Sequence, residues 1–274
     1  MNGMSNRDRA FLAEMGIAPL WSARAKAQAA APEAHREPAA EATAEAVSRA
    51  APYQAMPSPA PAPGSMIDSA WGEAPMPATD EEIAAMDWRA LNAAIAACSR
   101  CACKGARKPV LGNGARAARW MVAAGATTAA DEKERQPLAG DPGKLLSNML
   151  AAVKLSRDEN VYVTSLVKCR PVSAGGGDRA PTPDEVTACR PFVLRELVLC
   201  GAGTVLTLGQ IAANALLGKP LQEPLAGTRG SVHQVNGVAL VATLHPGELL
   251  RRGADKALAW ADLCLAKSAD ARPG

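Results

Sequence analysis

The clearest chemical pattern in this sequence is a set of four cysteines, Cys98, Cys101, Cys169 and Cys189. Only two residues separate Cys98 from Cys101, so one turn of chain can present both thiolates to a single metal centre. Two distant cysteines can complete the set once the chain folds. An iron-sulfur cluster and a structural zinc ion both accept four sulfurs, so the spacing predicts a metal centre and leaves its identity open.

Three further cysteines, Cys103, Cys200 and Cys264, lie outside this spacing. Clustered cysteines in a reducing cytoplasm indicate a metal before they indicate disulfides. Cys103 is close enough to the first pair to be an alternative ligand, and all three are expected to be small buried apolar residues.

A second candidate for chemistry is His245, which precedes a proline at the end of an apolar run. The segment GELLRR at 247–252 follows it, with two leucines and two arginines. One interpretation of this segment is the start of a helix that carries surface arginines.

Four apolar runs predict β-strands, and helical stretches separate them. We expect strands at 120–124, 161–167, 204–208 and 238–243, and helices at 142–155, 183–199, 210–217 and 255–267. This alternation favours an α/β fold of three layers, in which helices cover both faces of a mainly parallel four-stranded sheet. Ligands bind beyond the carboxyl ends of such strands, where residues 125–128, 165–170 and His245 fall.

The first part of the chain differs from the rest in charge and composition. Residues 1–89 carry 7 basic and 12 acidic side chains, a net charge of −5, whereas residues 90–274 carry 23 and 15, a net charge of +8. Residues 5–27 contain an apolar island, which is either a docking helix for a protein partner or for the domain itself, or a residual tail helix. Residues 28–78 are rich in Ala and Pro and predict a disordered linker. A folded domain is expected over 79–270, with Thr79 as the N-cap of its first helix.

The basic charge of the C-terminal part suits a polyanionic partner such as DNA, because Lys and Arg that neutralise phosphates release counterions. No apolar run approaches the roughly 20 residues that span a membrane. The first residues also lack the apolar stretch of a signal peptide. We therefore expect a cytoplasmic protein with no membrane association.

Several short motifs, taken in order, resemble the iron-sulfur uracil-DNA glycosylases of family 4 from bacteria and archaea. They are KCRP at 168–171, CRP at 189–191, LGQIA at 208–212, RG at 229–230 and LHPGELLRR at 244–252. The resemblance extends from about residue 91 to residue 267. It implies a uracil-DNA glycosylase-like α/β/α domain and a 4Fe-4S cluster on the four cysteines, with zinc as the alternative. It also implies DNA repair by hydrolysis of the N-glycosidic bond of uracil or another deaminated base, by a monomer associated with the bacterial nucleoid.

The resemblance also assigns roles to single residues. His245 corresponds to the family's histidine that stabilises the departing base. Leu249 or Leu250 corresponds to the apolar wedge that enters the duplex, and arginines beside it contact phosphates. The expected DNA contacts are Lys168, Arg170, Arg229, Leu249, Leu250, Arg251 and Arg252. Lys168 and Arg170 have a second interpretation, in which their charges tune or shield the cluster.

The sequence departs from the family in its base pocket. Ala126 replaces the acid of the loop after the first strand, Leu138 replaces the phenylalanine that stacks on uracil, and Ser165 replaces the uracil-reading asparagine. Base-aromatic stacking contributes roughly 1–3 kcal/mol per base, and a hydroxyl cannot offer the paired donor and acceptor of an amide. The backbone amides of Gly125, Ala126 and Thr127 are still expected to cradle a polar group. Asp131 and Glu132 are candidates to position water, or alternatively form a solvated acidic loop.

These departures leave three hypotheses for function. The first is a DNA glycosylase with weak or changed base specificity. The second is a catalytically inactive, glycosylase-like iron-sulfur protein that binds DNA, with residues 5–27 recruiting a partner. The third is an iron-sulfur redox or sensing protein whose DNA affinity depends on oxidation.

Overall fold

A computed structural model describes residues 77–101 and 108–270 of the 274-residue chain. The predicted interaction segment 5–27, nearly all of the predicted linker 28–78, and Cys103 lie outside the described residues. The domain boundaries therefore remain predictions. The N-cap at Thr79 is confirmed, since its hydroxyl accepts the backbone N–H of Glu82 and the Glu82 side chain caps in return. No helix in the described ranges is both long and apolar enough to cross a membrane.

A six-stranded sheet forms the centre of the fold, with the strand order β1-β3-β2-β4-β6-β5. The strands β2, β3, β4 and β6 run parallel and match the four predicted runs. The chain reverses its direction of travel across the sheet at β2, which pairs with β3 on one side and β4 on the other; ligands bind at such switch points. The strands are β1 (Asn113–Gly114), β2 (Trp120–Ala126), β3 (Val161–Val167), β4 (Thr204–Leu208), β5 (Val232–Val235) and β6 (Val238–Thr243).

The prediction of four strands was too low by two, because both edges carry a short antiparallel strand. β1 has two residues, and β5 carries a histidine and a glutamine, so neither forms an apolar run. The β5–β6 hairpin does carry a sequence signal, the dipeptide Asn236-Gly237. Both residues have positive φ angles, of 48° and 79°, as a tight hairpin turn requires.

Helices cover both faces of the sheet, as the alternation predicted. The predicted helices are confirmed with ends that differ by at most three residues, and further short helices are present. They are α1 (Asp80–Ala85), α2 (Trp88–Ala96), α3 (Ala129–Glu134), α4 (Gly140–Ala152), α5 (Pro183–Cys200), α6 (Gln210–Leu217), α7 (Pro246–Arg251) and α8 (Lys256–Asp270). α4 begins before Pro142 because proline is tolerated in the first turn of a helix.

Two separate cores fix the three layers. Residues of α5 and α6 pack on one face of the sheet against residues such as Met121 and Leu166. Residues of α4 and α8 pack on the other face against residues such as Val122 and Leu206. Every residue of β3 is buried, which explains its continuous apolar sequence. The loops at the carboxyl edge of this rigid sheet carry the candidate site.

Candidate active site

His245 lies directly after β6 and is the N-cap of α7. Its Nδ1 accepts the backbone N–H of Gly247 at 3.1 Å, which assigns the ring proton to Nε2 in the neutral tautomer. Burial lowers the pKa of His245, against the opposing charges of Glu248 and Asp131. The ring is therefore neutral near pH 7, with Nε2–H as a donor. A Cβ at position 247 would lie 3.1 Å from Nδ1, so Gly247 leaves room for this contact.

Hydrogen bonds within the domain occupy part of the loop after β2 that we expected to face a ligand. The Thr127 N–H donates to the carbonyl of Val167 at 3.1 Å, and its hydroxyl donates to the carbonyl of Lys168 at 2.9 Å. The prediction that the Thr127 amide is available to a ligand is therefore wrong. Gly125 and Ala126, the last residues of β2, are partly exposed. Thr127 instead joins the ends of β2 and β3.

The two acidic residues of this region have different surroundings. Asp131 is buried, and its carboxylate accepts the N–H of Thr128 at 2.9 Å and the N–H of Ala139 at 2.7 Å. It thus bridges the loop after β2 and the loop before α4. Glu132 is partly exposed, with Oε2 at 3.8 Å from Arg170. Each of the two Asp131 oxygens is occupied by a backbone donor, whereas Glu132 borders solvent.

Leu138 and Ser165 both belong to the sheet face covered by α4. Ser165 is opposite Ala124 in the β2–β3 register, and Leu138 packs in the apolar cluster that contains Ala124 and Leu208. Both side chains are buried, and within the described residues the Ser165 hydroxyl has no hydrogen-bond partner. Asp131 bonds the residue after Leu138 and acts electrostatically on His245. The fold therefore brings Leu138, Ser165 and His245 to one region of the carboxyl edge.

No sequence pattern pointed to Arg157, which precedes β3 and reaches the Leu138 loop. Its guanidinium donates to the carbonyl of Pro137 at 2.6 Å and to that of Leu138 at 3.3 Å. Burial lowers the pKa of Arg157, although the charges of Asp158 and Asp131 oppose this effect. The two carbonyl contacts link the base of β3 to the loop before α4.

Three of the predicted metal-binding cysteines, Cys98, Cys101 and Cys189, lie close enough to interact electrostatically. Cys189 is buried, and burial raises its pKa to about 11. The backbone of Lys168, which precedes Cys169, donates a hydrogen bond to Cys189, and the charges of Cys101 and Cys98 act on the same thiol. In the described ranges, no three Cys, His, Asp or Glu side chains are grouped closely enough to hold a metal ion.

Two predictions about the other cysteines have opposite outcomes. Cys200 is buried near the end of α5, as expected of a small apolar residue. Cys264 is exposed, so its predicted burial is wrong. It lies on the solvent side of α8, three residues after exposed Ala261.

The predicted contact of Lys168 with DNA is wrong. Its side chain is only 2% exposed, and its Nζ lies 2.6 Å from Oε2 of Glu196, which is 0% exposed. The Glu196 carboxylate also accepts from Tyr162 at 3.1 Å and from Thr164 at 2.9 Å. Lys168 therefore belongs to a buried polar network between β3 and α5, and its charge does not reach the surface.

The remaining DNA-contact candidates divide by exposure. Leu249 is 1% exposed and packs inside, whereas Leu250 is 49% exposed beside the exposed Arg251 and Arg252. Leu249 is therefore excluded as the wedge, and Leu250 fits that position. Two other arginines are largely held by acids within the domain. Arg170 pairs with Asp178 and Arg229 with Asp262, the latter at 2.7 Å.

Known proteins resemble this chain in sequence. The sequence model of the Uracil DNA glycosylase superfamily matches residues 111–264. A type-4 uracil-DNA glycosylase of Pyrobaculum aerophilum is 31% identical over 177 residues, which cover 62% of this chain and 87% of that protein. Type-4 uracil-DNA glycosylases of Archaeoglobus fulgidus and Thermotoga maritima are 33% and 32% identical; each alignment covers 44% of this chain, and 62% and 60% of the respective relative. The chain belongs to the uracil-DNA glycosylase superfamily, as a member of its type-4 family.

Proposed function

We propose that this protein is a DNA glycosylase that hydrolyses the N-glycosidic bond of uracil or another deaminated base, with weak or changed specificity. The observation that carries the proposal is the neutral His245, whose Nδ1 is occupied by Gly247 and whose Nε2–H is therefore the donor. When the bond between C1′ and the base nitrogen breaks, its electron pair leaves with the base. A preorganised N–H donor stabilises that negative charge. Water then adds to C1′, and the proton that it loses neutralises the departing base anion.

Glu132 is our candidate for positioning this water. It borders solvent, while the Asp131 carboxylate is occupied by two backbone N–H groups. Asp131 then acts by holding the two loops together. Glu132→Gln is expected to lower the rate of base release with little change in stability, and Asp131→Asn to lower stability as well.

The changed specificity follows from the pocket side chains. Ser165 offers a single hydroxyl, and Leu138 offers no aromatic face. A pocket without a side-chain amide lacks the paired donor and acceptor that read the edge of a base, so it discriminates less well between bases. Deaminated purines and uracil are therefore both included as substrate candidates.

The test is base release from oligonucleotides that carry deoxyuridine, deoxyinosine or deoxyxanthosine, measured as alkali-labile sites in single-stranded and mismatched DNA. The protein should act on at least one substrate, and His245→Ala should lower the rate by about 10²–10³-fold. His233→Ala is the matched control. His233 lies on the edge strand β5, and its Nε2 contacts the Thr228 carbonyl at 2.8 Å. Absence of alkali-labile sites from every substrate, with the metal centre intact, would overturn the proposal.

The alternative is a catalytically inactive protein that binds DNA. It is favoured by the burial of Leu138 and Ser165, which leaves their side chains little access to a base in the free protein. Under this alternative the protein retards abasic and undamaged DNA equally and releases no base. Loss of a measurable activity in His245→Ala would exclude it.

We also propose a 4Fe-4S cluster on Cys98, Cys101, Cys169 and Cys189, with structural zinc as the alternative. The proposal is supported by the thiols around Cys189 and by the chain's membership of the type-4 family. The cluster would serve as a structural centre that joins α5 to the segments before β1 and after β3. Iron, sulfide and zinc analysis of anaerobically purified protein distinguishes the two centres.

The partners and location are proposals of the same kind. DNA is the partner that a glycosylase needs, and the exposed Leu250, Arg251 and Arg252 supply a suitable surface. We propose a monomer in the bacterial cytoplasm at the nucleoid, with residues 5–27 available to a protein partner. Removal of residues 1–76 should preserve base release and abolish any such partner binding.

A further inference from the structure

The loop between α3 and α4 contains an unusual backbone conformation beside the candidate base pocket. Leu138 has a φ angle of 53°, in the left-handed region that side-chain-bearing residues avoid. Arg135, three residues earlier, has a φ angle of 52° and ends α3. For a leucine this conformation costs about 1–2 kcal/mol, so contacts from elsewhere must hold it.

Three contacts meet at this loop. Arg157 donates to two consecutive carbonyls, those of Pro137 and Leu138, at 2.6 and 3.3 Å. Asp131 accepts the next backbone N–H, that of Ala139, at 2.7 Å. The backbone before and after the strained residue is therefore fixed from opposite sides by one cation and one anion.

Gly143 makes the same conformation possible from the side of α4. A Cβ at this position would lie 1.9 Å from the Leu138 carbonyl oxygen, so only glycine allows the helix to approach. The same absent Cβ would be 3.4 Å from the Arg157 guanidinium. Gly143 thus permits the close packing of the loop, α4 and Arg157.

The conformation places the Leu138 side chain in a definite position. It is buried in the apolar cluster that also contains Ala124, the residue opposite Ser165 in the β2–β3 register. A change of backbone conformation at Leu138 would redirect this buried side chain. The contacts that fix the backbone of Leu138 therefore fix its side chain as well.

We infer that Arg157 is a positioning residue for the base pocket, which together with Asp131 holds Leu138 in its left-handed conformation and so limits the size of base accepted. This inference rests on the proposed glycosylase function for its effect on base choice. The backbone clamp itself does not depend on that function. The two parts can therefore be tested separately.

The first test measures the clamp without catalysis. Arg157→Met removes both donors and keeps an unbranched side chain, and Arg119→Met is its matched control. Arg119 also precedes a central strand, but its side chain is largely exposed and pairs with Asp270. In hydrogen exchange, Ala139 N–H should lose about tenfold or more of its protection in Arg157→Met and none in Arg119→Met.

A double variant then tests the strain. Leu138→Gly removes the penalty for a positive φ, so Arg157→Met should accelerate Ala139 exchange less when combined with Leu138→Gly than when leucine is retained. Equal acceleration in both backgrounds, or unchanged protection in Arg157→Met, would overturn the clamp.

The second test measures base choice. We compare the kcat/KM for deoxyinosine with that for deoxyuridine, because hypoxanthine is the larger base. Arg157→Met should raise this ratio by about tenfold, since one misplaced wall changes which base fits. General damage to the fold lowers both values together and leaves the ratio unchanged, and that result would refute the role in base choice. If the unaltered protein releases no base, the proposed function fails, while the exchange experiment still decides the clamp.

Discussion

The buried pair of Lys168 and Glu196 allows a quantitative prediction about stability. Their Nζ and Oε2 atoms are 2.6 Å apart, and neither side chain is more than 2% exposed. Tyr162 and Thr164 donate two further hydrogen bonds to the same carboxylate. Burial raises the pKa of Tyr162, and the Glu196 charge adds to the effect, so the phenol stays protonated and remains a donor. Removal of one partner of such a pair leaves an uncompensated buried charge.

Lys168→Met removes the ammonium and retains most of the side-chain volume. Breaking a buried pair in this way costs about 3–5 kcal/mol in the free energy of unfolding. Glu196→Gln should have a comparable cost, because it leaves the lysine charge unpaired. The double variant should lose about 1–3 kcal/mol less than the sum of the single losses, since neither charge is then left alone.

Urea denaturation followed by circular dichroism measures these losses, with all variants at equal metal content. Lys219→Met is the matched control, because Lys219 pairs with Glu223 at a similar distance of 2.7 Å but with 30% and 36% exposure. An exposed pair of this kind contributes at most about 1 kcal/mol. A loss in Lys168→Met no greater than that in Lys219→Met, or strictly additive losses in the double variant, would refute the reasoning.

Four further predictions concern the site. Burial lowers the pKa of His245 below its ordinary value of 6.5, so base release should stay constant from pH 8 to below 6.5 and fall only at lower pH; a pH-rate profile with an apparent pKa above 6.5 would contradict this. His245 in the unfolded chain has the ordinary pKa and therefore binds a proton at a higher pH than His245 in the folded protein. The stability contributed by the neutral ring is thus present above pH 6.5 and is lost as the pH falls. Urea titrations at several pH values measure this loss. Leu250→Ala should weaken activity on duplex more than on single-stranded DNA without loss of stability, whereas Leu249→Ala should cost about 2–5 kcal/mol in urea denaturation; the reverse order would exclude Leu250 as the wedge. Cys189→Ser should lower the bound iron and sulfide, and the exposed Cys264→Ser should leave both unchanged; equal metal content in the two variants would remove Cys189 from the ligand set.

The sheet was predictable because buried parallel strands are continuous apolar runs, and the four runs all became strands. The edge strands were missed because one has two residues and the other is polar. The hairpin dipeptide Asn236-Gly237 was the signal that could have found the second of them. Local apolar patterns thus indicate strands whose residues are buried, and they miss edge strands that are short or polar.

The candidate site was only partly predictable. The position of His245 after an apolar strand indicated the carboxyl edge of the sheet, and the structure shows it there. The left-handed conformation of Leu138 could not be predicted, since leucine itself disfavours it and its support includes Arg157, 19 residues later in the chain. The availability of the Thr127 amide was wrongly predicted for the same reason, because its acceptor lies on a different strand.

The sequence by itself determined the order of the four parallel strands and of the helices between them, the four-cysteine spacing and the identity of the family, because these depend on residue types and separations along the chain. Only the tertiary structure decided which partner each charged side chain meets and which leucines are buried. Lys168 follows a strand and resembles a surface cation, yet Glu196 meets it 28 residues later on a helix that packs against that strand. Leu249 and Leu250 are neighbours in sequence, and the packing of α7 buries one and exposes the other. Such partners are set by long-range packing, which local sequence patterns do not encode.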